Sequence, residues 1–156
     1  MRIGLGYDVH RLAPNLPLVL GGINIPHTHG LIGWSDADVL THAIMDALLG
    51  AAALGDIGTH FPPGDPRYKD VSSLMLLREV TLLLKKSGYR VGNVDVTIVV
   101  EQPKLAPYIE SIRTTLATAL NCTSNDVGIQ ATTSEKLGFV GRKEGMAAWA
   151  IAAIEK

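Results

Sequence analysis

Residues Ser35–Asp65 read SDADVLTHAIMDALLGAAALGDIGTHFPPGD. This stretch predicts the element around which the rest of the chain is organised, a helix from about Ala37 to Leu54. Apolar side chains form a stripe along one side of this helix because they recur at helical spacing. The stripe consists of Leu40, Ile44, Ala47, Leu48 and Ala51. Glycine, proline and aspartate are frequent from Gly55 onward and predict a long loop that ends near Lys69.

A second stripe of the same helix carries Asp38, His42 and Asp46, which are spaced four residues apart. Such a polar row costs free energy to bury on a mostly apolar helix unless its members find partners. One interpretation is a helix N-cap at Asp36 or Asp38, with the remaining polar groups in solvent. The other interpretation is a metal ion bound at His42. The helix alone does not decide between them.

The composition is that of a single globular domain, 1–156, with 47% hydrophobic and 19% charged residues. A net charge of −1 gives no electrostatic footprint for nucleic acid or for an anionic membrane surface. Cys122 is the only cysteine, which excludes a disulfide framework and a cysteine-based zinc site. No apolar run approaches the ~20 residues that span a bilayer, and no signal-peptide pattern is visible. We expect a cytoplasmic bacterial protein, or a plastid stromal one if it is a processed plant or algal chain.

Alternating residues predict several strands, and helical periodicity predicts two further helices, from Ser72 or Ser73 to Ser87 and over Pro107–Asn121. The predicted strands are Arg2–His10, Leu18–Leu20, Ile23–Ile25, Val91–Val100, Val127–Thr133 and Met146–Ile154. The last of these is ambiguous, because its alanines favour a helix whereas completing a sheet favours a strand. The predicted fold is α/β (α+β), a mixed β-sheet with helices packed on one face and a β-hairpin insertion near the N-terminus.

Two residues of the first strand, Asp8 and His10, lie on the same face because side chains alternate along a strand. Together with His42 they offer the carboxylate and imidazole ligands that zinc accepts. Catalytic zinc sites commonly use three protein ligands and leave one position open. Spacing alone is weak support, however, since an exposed strand end also carries such residues. Both interpretations therefore stay open at this point.

Two further segments have the character of phosphate-binding loops. Gly55-Asp56-Ile57-Gly58 predicts a tight turn whose backbone N–H groups face a ligand, or an ordinary glycine turn. Residues 131–136, ATTSEK, follow a strand and offer hydroxyls, N–H groups and a carboxylate, a set that suits phosphate oxygens with a divalent ion. A Ser- and Thr-rich turn without a ligand is the alternative. Neither GxxxxGK[ST] nor GxGxxG occurs in the chain, so the usual nucleotide-binding motifs are excluded.

Five collinear motifs of the chain resemble one family. They are GYDVHRL at Gly6–Leu12, SDADVLTHAIMDALLGAAALGDIG at Ser35–Gly58, FPPGDP at Phe61–Pro66, GNVDVTIVVEQPKLAP at Gly92–Pro107 and TTSEKLGFVGRKEG at Thr132–Gly145. The family is 2-C-methyl-D-erythritol 2,4-cyclodiphosphate synthase, an enzyme of non-mevalonate isoprenoid (terpenoid) biosynthesis. The resemblance covers essentially the whole chain and strongly favours the metal interpretation of the Asp8, His10 and His42 set.

The resemblance implies a homotrimer whose active sites lie between neighbouring subunits. It also implies a phosphorus–oxygen lyase that acts on 4-diphosphocytidyl-2-C-methyl-D-erythritol 2-phosphate. The 2-phosphate of that substrate attacks its β-phosphorus, CMP leaves and a cyclic diphosphate forms. Because the attacking group belongs to the substrate, the enzyme has to position a flexible polyanion and offset its charge.

The resemblance also implies roles for individual residues. Asp8, His10 and His42 bind one Zn²⁺ per subunit, Glu135 binds a second divalent cation (Mg²⁺ or Mn²⁺) with the substrate, and Asp46 orients His42 from behind. The implied catalytic residues are Trp34, Ser35, Thr133 and Glu135. The implied substrate-binding residues are Asp8, Val9, His10, Trp34, Ser35, Asp56, Ile57, Gly58, Phe61, Pro62, Pro63, Gly64, Asp65, Val100, Glu101, Gln102, Pro103, Lys104, Leu105, Ala106, Ala131, Thr132, Thr133, Ser134, Glu135, Phe139 and Arg142. Phe139 and Arg142 also match positions near the trimer axis, where the family can hold an isoprenoid diphosphate.

Two positions depart from the family pattern. Trp34 stands where the family normally has a histidine that contacts phosphate, and Pro63 stands where it often has an aspartate. Two alternatives to the cyclising enzyme remain, and these departures favour only the first of them. One is a catalytically weak relative that binds metal and nucleotide or isoprenoid diphosphate, and the other is a zinc phosphohydrolase. Release of inorganic phosphate would distinguish the hydrolase, because cyclisation releases none.

Overall fold

The computed structural model describes residues 1–156. The strands are β1 Arg2–Pro14, β2 Leu18–Leu20, β3 Ile23–Ile25, β4 His29–Leu31, β5 Arg90–Val99, β6 Val127–Thr132 and β7 Gly145–Glu155. The α-helices are α1 Val39–Ala52, α2 Ile57–His60, α3 Ser73–Lys86, α4 Ile109–Leu120 and α5 Gly138–Gly141. Short 3₁₀ turns occupy Pro66–Tyr68, Ala106–Tyr108 and Ser124–Asp126. None of the helices combines the length and the apolar character that crossing a bilayer requires.

Five strands form one mixed sheet in the order β4-β1-β7-β5-β6. Only the β5–β6 pair is parallel, and the other neighbours run antiparallel. The strands β2 and β3 form a separate hairpin, with Leu18 opposite Ile25. The mixed sheet with helices on one face and the N-terminal hairpin confirm the predicted fold class. The ambiguous segment Met146–Ile154 is a strand, since β7 lies in the middle of the sheet and pairs on both sides.

The remaining differences from the predicted elements are local. β1 continues to Pro14 because its end pairs with β4, a short strand that was not among the predicted elements. The single-turn helices α2 and α5 were not predicted either, because one turn is too short to show a helical period; α2 lies within the loop predicted from Gly55 onward. The helix α1 begins at Val39 rather than Ala37 because the Asp38 carboxylate accepts a hydrogen bond from the Thr41 N–H at 3.1 Å.

The buried face of the sheet packs directly against α1. Gly4 and Gly6 of β1 have no side chains, so the backbone of the helix lies against the strand at these two positions. A Cβ added at Gly6 would lie 2.0 Å from the carbonyl oxygen of Ala43, far inside contact distance. Fully buried alanines of β7, such as Ala148 and Ala152, continue this small-residue surface beside β1. Packing of α1 therefore depends on backbone contact as much as on large side chains.

We expect Gly6→Ala to lower the free energy of unfolding by about 3 kcal/mol or more, because the added methyl meets helix backbone that cannot turn away. The change is measured by urea unfolding of the parent and the variant. Gly50→Ala is the matched control, because it lies in α1 with no atom within 4 Å of the added Cβ. It should raise stability by roughly 0.5–1 kcal/mol through its better helix propensity. A Gly6→Ala variant as stable as the parent would contradict the close helix–strand approach.

The opposite face of the sheet is apolar and exposed. Ile3 and Leu5 of β1 are 65% and 67% exposed, and Trp149 and Ile151 of β7 are 44% and 53% exposed. Tyr7 packs beside Trp149 with the ring centroids 4.8 Å apart. We call these five residues, together with Val9, the apolar sheet face. The predicted alternation along β1 is confirmed, but the helices cover the glycine side and leave the large apolar side chains uncovered.

Candidate active site

Asp8, His10 and His42 converge where α1 crosses β1. The Oδ2 atom of Asp8 lies 3.0 Å from His10 Nε2 and 3.0 Å from His42 Nδ1. The two imidazole nitrogens lie 3.2 Å apart. The three residues also form the one cluster of at least three His, Cys, Asp or Glu side chains with ligand atoms close enough to hold a metal ion. Asp38 caps the helix, which confirms that part of the first interpretation, but His42 is buried in the triad and not in solvent. The second interpretation, a metal ion at His42, stays a prediction with which this geometry is compatible.

The dimensions of this triad fit a zinc ion. Tetrahedral zinc with bonds of about 2.0–2.1 Å to nitrogen and oxygen places its ligand atoms about 3.3–3.4 Å apart. The observed separations of 3.0, 3.0 and 3.2 Å are slightly shorter and need only a small outward movement of the ligands. Three ligands of this type also leave a fourth position open for a substrate atom.

The hydrogen-bond partners of the two imidazoles assign their tautomers. His10 Nδ1 lies 2.7 Å from the carbonyl oxygen of Ile32, an acceptor only, so Nδ1 carries the proton and Nε2 is free to bind metal. His42 Nε2 faces the hydroxyl oxygens of Ser73 at 2.9 Å and Ser35 at 3.2 Å. His42 therefore presents Nδ1 to the triad. The nitrogens that face the triad, His10 Nε2 and His42 Nδ1, hydrogen-bond to the Asp8 carboxylate, and each could give up its proton and bind a metal ion through its lone pair.

The two histidines of the triad favour the ionised form of the Asp8 carboxylate. Burial acts to raise its pKa, but the hydrogen bonds from His10 and His42 lower the pKa of Asp8 to about 2. Burial likewise acts to lower the pKa of His10, but the hydrogen bond to Asp8 raises it above its ordinary value of 6.5. The negative carboxylate thus attracts a proton to the site when no metal ion is bound, and protons compete with the metal.

Asp46 has a different contact from the predicted one. Its Oδ1 accepts a hydrogen bond from the Ile57 N–H at 2.8 Å, whereas the partners of His42 Nε2 are the two serines. The prediction that Asp46 orients the His42 imidazole is therefore wrong, because no hydrogen bond joins the two side chains. One helical turn of separation suggested a shared site, but the carboxylate holds the turn that begins α2 instead.

A cavity of about 240 Å³ opens beside the triad. The predicted site residues that line it with the triad are Trp34, Ser35, Ile57, Gly58, Phe61 and Pro63. Met45 and Leu76 line it as well and were not predicted, because in the sequence they look like core residues of helices. Tyr68 also lines it, but it lies in the predicted loop, where nothing in the sequence marks it as a site residue. We call this cavity the metal pocket. It is large enough for a small polar group bound at the open metal position.

Other residues predicted beside the triad have different surroundings. The side chain of Val9 lies on the apolar sheet face, opposite to Asp8 and His10, so it does not reach the metal pocket. The Asp56 carboxylate caps α2 by accepting from the Thr59 N–H at 2.8 Å. Asp65 forms an ion pair with Arg67 at 2.7 Å. Pro62 and Gly64 are exposed and lie outside the cavity lining.

A second and larger cavity, of about 500 Å³, lies at the carboxyl ends of the parallel strands β5 and β6. This edge of a parallel pair is the usual place for ligands in α/β proteins. The predicted residues that line it are Val100, Glu101, Pro103, Lys104, Leu105, Ala106, Ala131, Thr132 and Thr133. Ile109 and Ile129 also line it and were not predicted, since both look like core residues in the sequence. We call this cavity the strand-end pocket.

Two carboxylates order the loop after β6, one from Glu101, just beyond the end of β5, and one from Glu135 in the loop itself. Glu101 Oε1 accepts hydrogen bonds from the N–H and the hydroxyl of Ser134, at 3.0 and 3.2 Å. Glu135 adopts a left-handed φ of 54°, and its Oε1 accepts from the Thr133 hydroxyl at 3.1 Å. The Glu135 side chain is therefore exposed beside the rim of the strand-end pocket, available to a cation.

Three further predicted residues lie apart from both pockets. Gln102 lines a third cavity, of about 240 Å³, rather than the strand-end pocket, and its Oε1 accepts from Lys143 Nζ at 3.1 Å. Arg142 is paired with Glu144 at 2.9 Å. Phe139 is exposed and, like Arg142, lines neither pocket. The metal pocket and the strand-end pocket share no lining residue within one chain.

Known proteins resemble this chain along its whole length. The YgbB family model matches residues 1–155. A 2-C-methyl-D-erythritol 2,4-cyclodiphosphate synthase from Dehalococcoides mccartyi (strain CBDB1) is 65% identical over 156 residues, which make up 100% of this chain and 99% of that protein. A solved structure of 2C-methyl-D-erythritol-2,4-cyclodiphosphate synthase in a CDP-bound form has a TM-score of 0.91 at 34% identity and covers 99% of this chain and 100% of that one. The bifunctional IspDF from Campylobacter jejuni has a TM-score of 0.94 at 39% identity, covering 98% of this chain and 42% of that longer chain.

Proposed function

Because the chain belongs to the YgbB family, as its motifs predicted, we propose that it catalyses the reaction after which its relatives are named. That reaction is the formation of 2-C-methyl-D-erythritol 2,4-cyclodiphosphate in isoprenoid biosynthesis, and the enzyme is a cytoplasmic phosphorus–oxygen lyase. The observation that carries the proposal is the triad of Asp8, His10 and His42, whose ligand separations of 3.0–3.2 Å suit a divalent metal beside an open pocket.

In the proposed mechanism the chain folds the substrate for an in-line displacement within one molecule. The 2-phosphate forms a new bond to the β-phosphorus while the bond from that phosphorus to CMP breaks, so no side chain has to act as nucleophile. Asp8, His10 and His42 would hold a zinc ion, which would supply Lewis-acid stabilisation to phosphoryl oxygens when bound. Positioning alone contributes up to ~7–11 kcal/mol in well-oriented intramolecular reactions.

The roles of the two pockets follow from their linings. The strand-end pocket is proposed to hold the cytidine, supported by the CDP-bound form of a relative with the same fold. Lys104 brings a positive charge to this pocket and Thr133 a hydroxyl, both suited to phosphate. Glu135 is proposed to bind Mg²⁺ or Mn²⁺ together with the substrate, because magnesium is commonly held by one carboxylate plus phosphates. The metal pocket receives the methylerythritol part beside Ile57 and Gly58.

The assembly proposed for this enzyme is a homotrimer with shared active sites. The apolar sheet face supports it, since six large apolar side chains on an uncovered sheet mark an interaction surface. The separation of the two pockets within one chain also supports it, because a neighbouring subunit would bring a strand-end pocket to each metal pocket. Phe139 and Arg142 are proposed to face the central cavity, where an isoprenoid diphosphate could bind.

The proposed function is tested by CMP release from 4-diphosphocytidyl-2-C-methyl-D-erythritol 2-phosphate with Mg²⁺, with and without a zinc chelator. We expect CMP release that the chelator abolishes and added zinc restores, with no free phosphate. Free phosphate would indicate a hydrolase. Bound zinc without CMP release would overturn the proposal. It would indicate a catalytically weak relative, the alternative that the departures at Trp34 and Pro63 favour.

We expect a mixture of two inactive variants, His42→Ala and Glu135→Ala, to recover activity when they assemble into mixed trimers. If each active site takes its metal triad from one subunit and Glu135 from the next, random mixing gives about a quarter of the sites both intact halves. Co-expressed and co-purified variants are assayed for CMP release. Each variant alone serves as its control, and a mixture no more active than either one would contradict shared sites.

We expect Trp34→His to keep or raise turnover, because an imidazole can donate to phosphate as the family histidine does. Trp34 also holds the loop beyond Phe61, since its indole N–H donates to the Asp65 carbonyl oxygen at 2.9 Å. Trp34→Phe is the comparison, because it keeps an aromatic ring without a donor and should lower turnover. The measurement is kcat for CMP release, and a large loss in Trp34→His would contradict the view that tryptophan is a tolerated substitute.

A further inference from the structure

A fully buried serine lies behind the metal ligand His42. Ser73 is the first residue of α3 and is 0% exposed. Its Oγ lies 2.9 Å from His42 Nε2, on the side of the imidazole that faces away from Asp8. The same hydroxyl makes a close contact with Asp36 Oδ1, and the Ser73 N–H donates to Asp36 Oδ2 at 2.9 Å. Asp36, Ser73 and His42 thus form a continuous hydrogen-bonded chain that ends at the triad.

The direction of the hydrogen bonds in this chain is fixed by chemistry. A metal ion at the triad would replace the hydrogen bond between His42 Nδ1 and Asp8 and would use the Nδ1 lone pair, so the proton of the neutral imidazole would then lie on Nε2. The Nε2–H then donates to the Ser73 oxygen. A serine has a single hydroxyl proton, and the Asp36 carboxylate accepts it. The carboxylate therefore favours the tautomer of His42 that leaves Nδ1 free for a metal ion.

Asp36 is itself held in place from two sides. Its N–H donates to the Val71 carbonyl oxygen at 3.1 Å, and its carboxylate accepts a hydrogen bond from the N–H of Ser73 at the start of α3. Ser72, the N-cap residue of α3, makes no side-chain capping hydrogen bond. The carboxylate of Asp36, which precedes α1, thus acts as the cap of α3. Because of this, the position of α3 and the orientation of His42 are set by the same group.

We propose that Asp36 and Ser73 are positioning residues that fix the tautomer and ring orientation of His42 for metal binding. This inference rests on the proposed metal centre and adds two residues that touch neither metal nor substrate. Partners of this kind behind a metal-bound histidine commonly change metal affinity by about 10- to 100-fold when they are removed. Ser35, whose Oγ is 3.2 Å from the same Nε2, lines the metal pocket, and its hydroxyl makes no hydrogen bond to the Asp36 carboxylate.

The test compares Ser73→Ala and Asp36→Asn with Ser72→Ala, all in the full chain. Zinc affinity is measured by competition with a chromophoric chelator, in the absence of substrate. The d–d absorption of bound Co²⁺ is recorded as well, because its intensity reports tetrahedral geometry. Ser72→Ala is the matched control, since it removes a neighbouring hydroxyl that makes no side-chain capping hydrogen bond.

We expect Ser73→Ala to bind zinc about 10- to 100-fold more weakly than the parent, with an altered Co²⁺ spectrum, and Ser72→Ala to match the parent. A double variant that combines Ser73→Ala with Asp36→Asn should lose little more zinc affinity than Ser73→Ala alone, because the two residues act through one chain of hydrogen bonds. Should Ser73→Ala not fold, Asp36→Asn carries the test. Parent-like zinc affinity and Co²⁺ spectrum in the folded variants, or a parent that binds no zinc, would overturn the inference. A parent that binds zinc but releases no CMP would overturn the proposed function and leave this inference standing.

Discussion

Replacing His42 by alanine should abolish zinc binding and lower CMP release by at least about 1000-fold, since a bound metal supplies several kcal/mol of transition-state stabilisation. His42 is the only ligand that α1 contributes, and the two that remain, Asp8 and His10, come from one strand. Two ligands on one side of an ion leave it open to water and to chelators. Metal content of the purified protein and the rate of CMP release with added zinc measure the two effects.

His29→Ala is the control for this substitution. His29 is an exposed histidine of β4 that lies outside the triad and the metal pocket, so its removal should leave zinc content and CMP release unchanged. The two variants together separate loss of a ligand from loss of any histidine. Full zinc occupancy in His42→Ala would show that the metal is bound elsewhere and would remove the main support for the proposed reaction.

Replacing Ile151 by glutamate should dissociate the proposed trimer and lower CMP release by orders of magnitude. Ile151 lies in the apolar sheet face and is 53% exposed in the single chain. A glutamate at this position therefore stays in solvent in the single chain and loses its solvation only when a partner subunit covers it. Burying an unpaired carboxylate between subunits costs several kcal/mol, which is enough to separate an assembly at micromolar concentration. Analytical ultracentrifugation measures the assembly, and the chelator assay confirms that each separated chain still binds zinc.

Leu82→Glu is the matched control, because it introduces the same charge at a similarly exposed apolar residue outside the sheet. Leu82 is 56% exposed, like Ile151, but it lies on α3 and not on the sheet. It should leave the sedimentation coefficient and CMP release unchanged. A trimeric and fully active Ile151→Glu variant would show that the apolar sheet face is not the interface. A separated but fully active variant would instead show that one chain holds a complete active site.

The order of the elements was accessible from the sequence because each long element carries its own period. Alternation predicted β1 and β5, and helical spacing predicted α1, α3 and α4. Intrinsic propensity gives the wrong prediction for β7, because its alanines favour a helix in isolation. In the fold their small size lets α1 approach the sheet, and this packing decides the structure of the segment. The one-turn helices α2 and α5 have no period to detect, and their ends are set by contacts such as the Asp56 cap.

The site was accessible only where residue type and spacing carry the chemistry. Asp8 and His10 share a strand face, and the resemblance linked them to His42. Ser73 has no such signal, since it lies 31 residues beyond His42 and looks like an ordinary residue at a helix start. Asp46 stood at the right helical spacing, yet its partner is the backbone of Ile57. Contacts between distant segments depend on how the elements pack, and a single sequence does not record that.

The close approach of α1 to β1 also makes the geometry of the proposed metal centre independent of changes elsewhere in the protein. His42 adjoins Ala43, whose carbonyl oxygen lies against Gly6, and Asp8 is the next residue of β1 on the same face. The spacing of the ligands is thus set by two backbones in contact and not by the volumes of the side chains between them. Leucines and valines further along the core can be exchanged over generations without moving Asp8 relative to His42. Evolution can tune the stability of this protein while the dimensions of the triad stay constant, provided that Gly6 remains without a side chain.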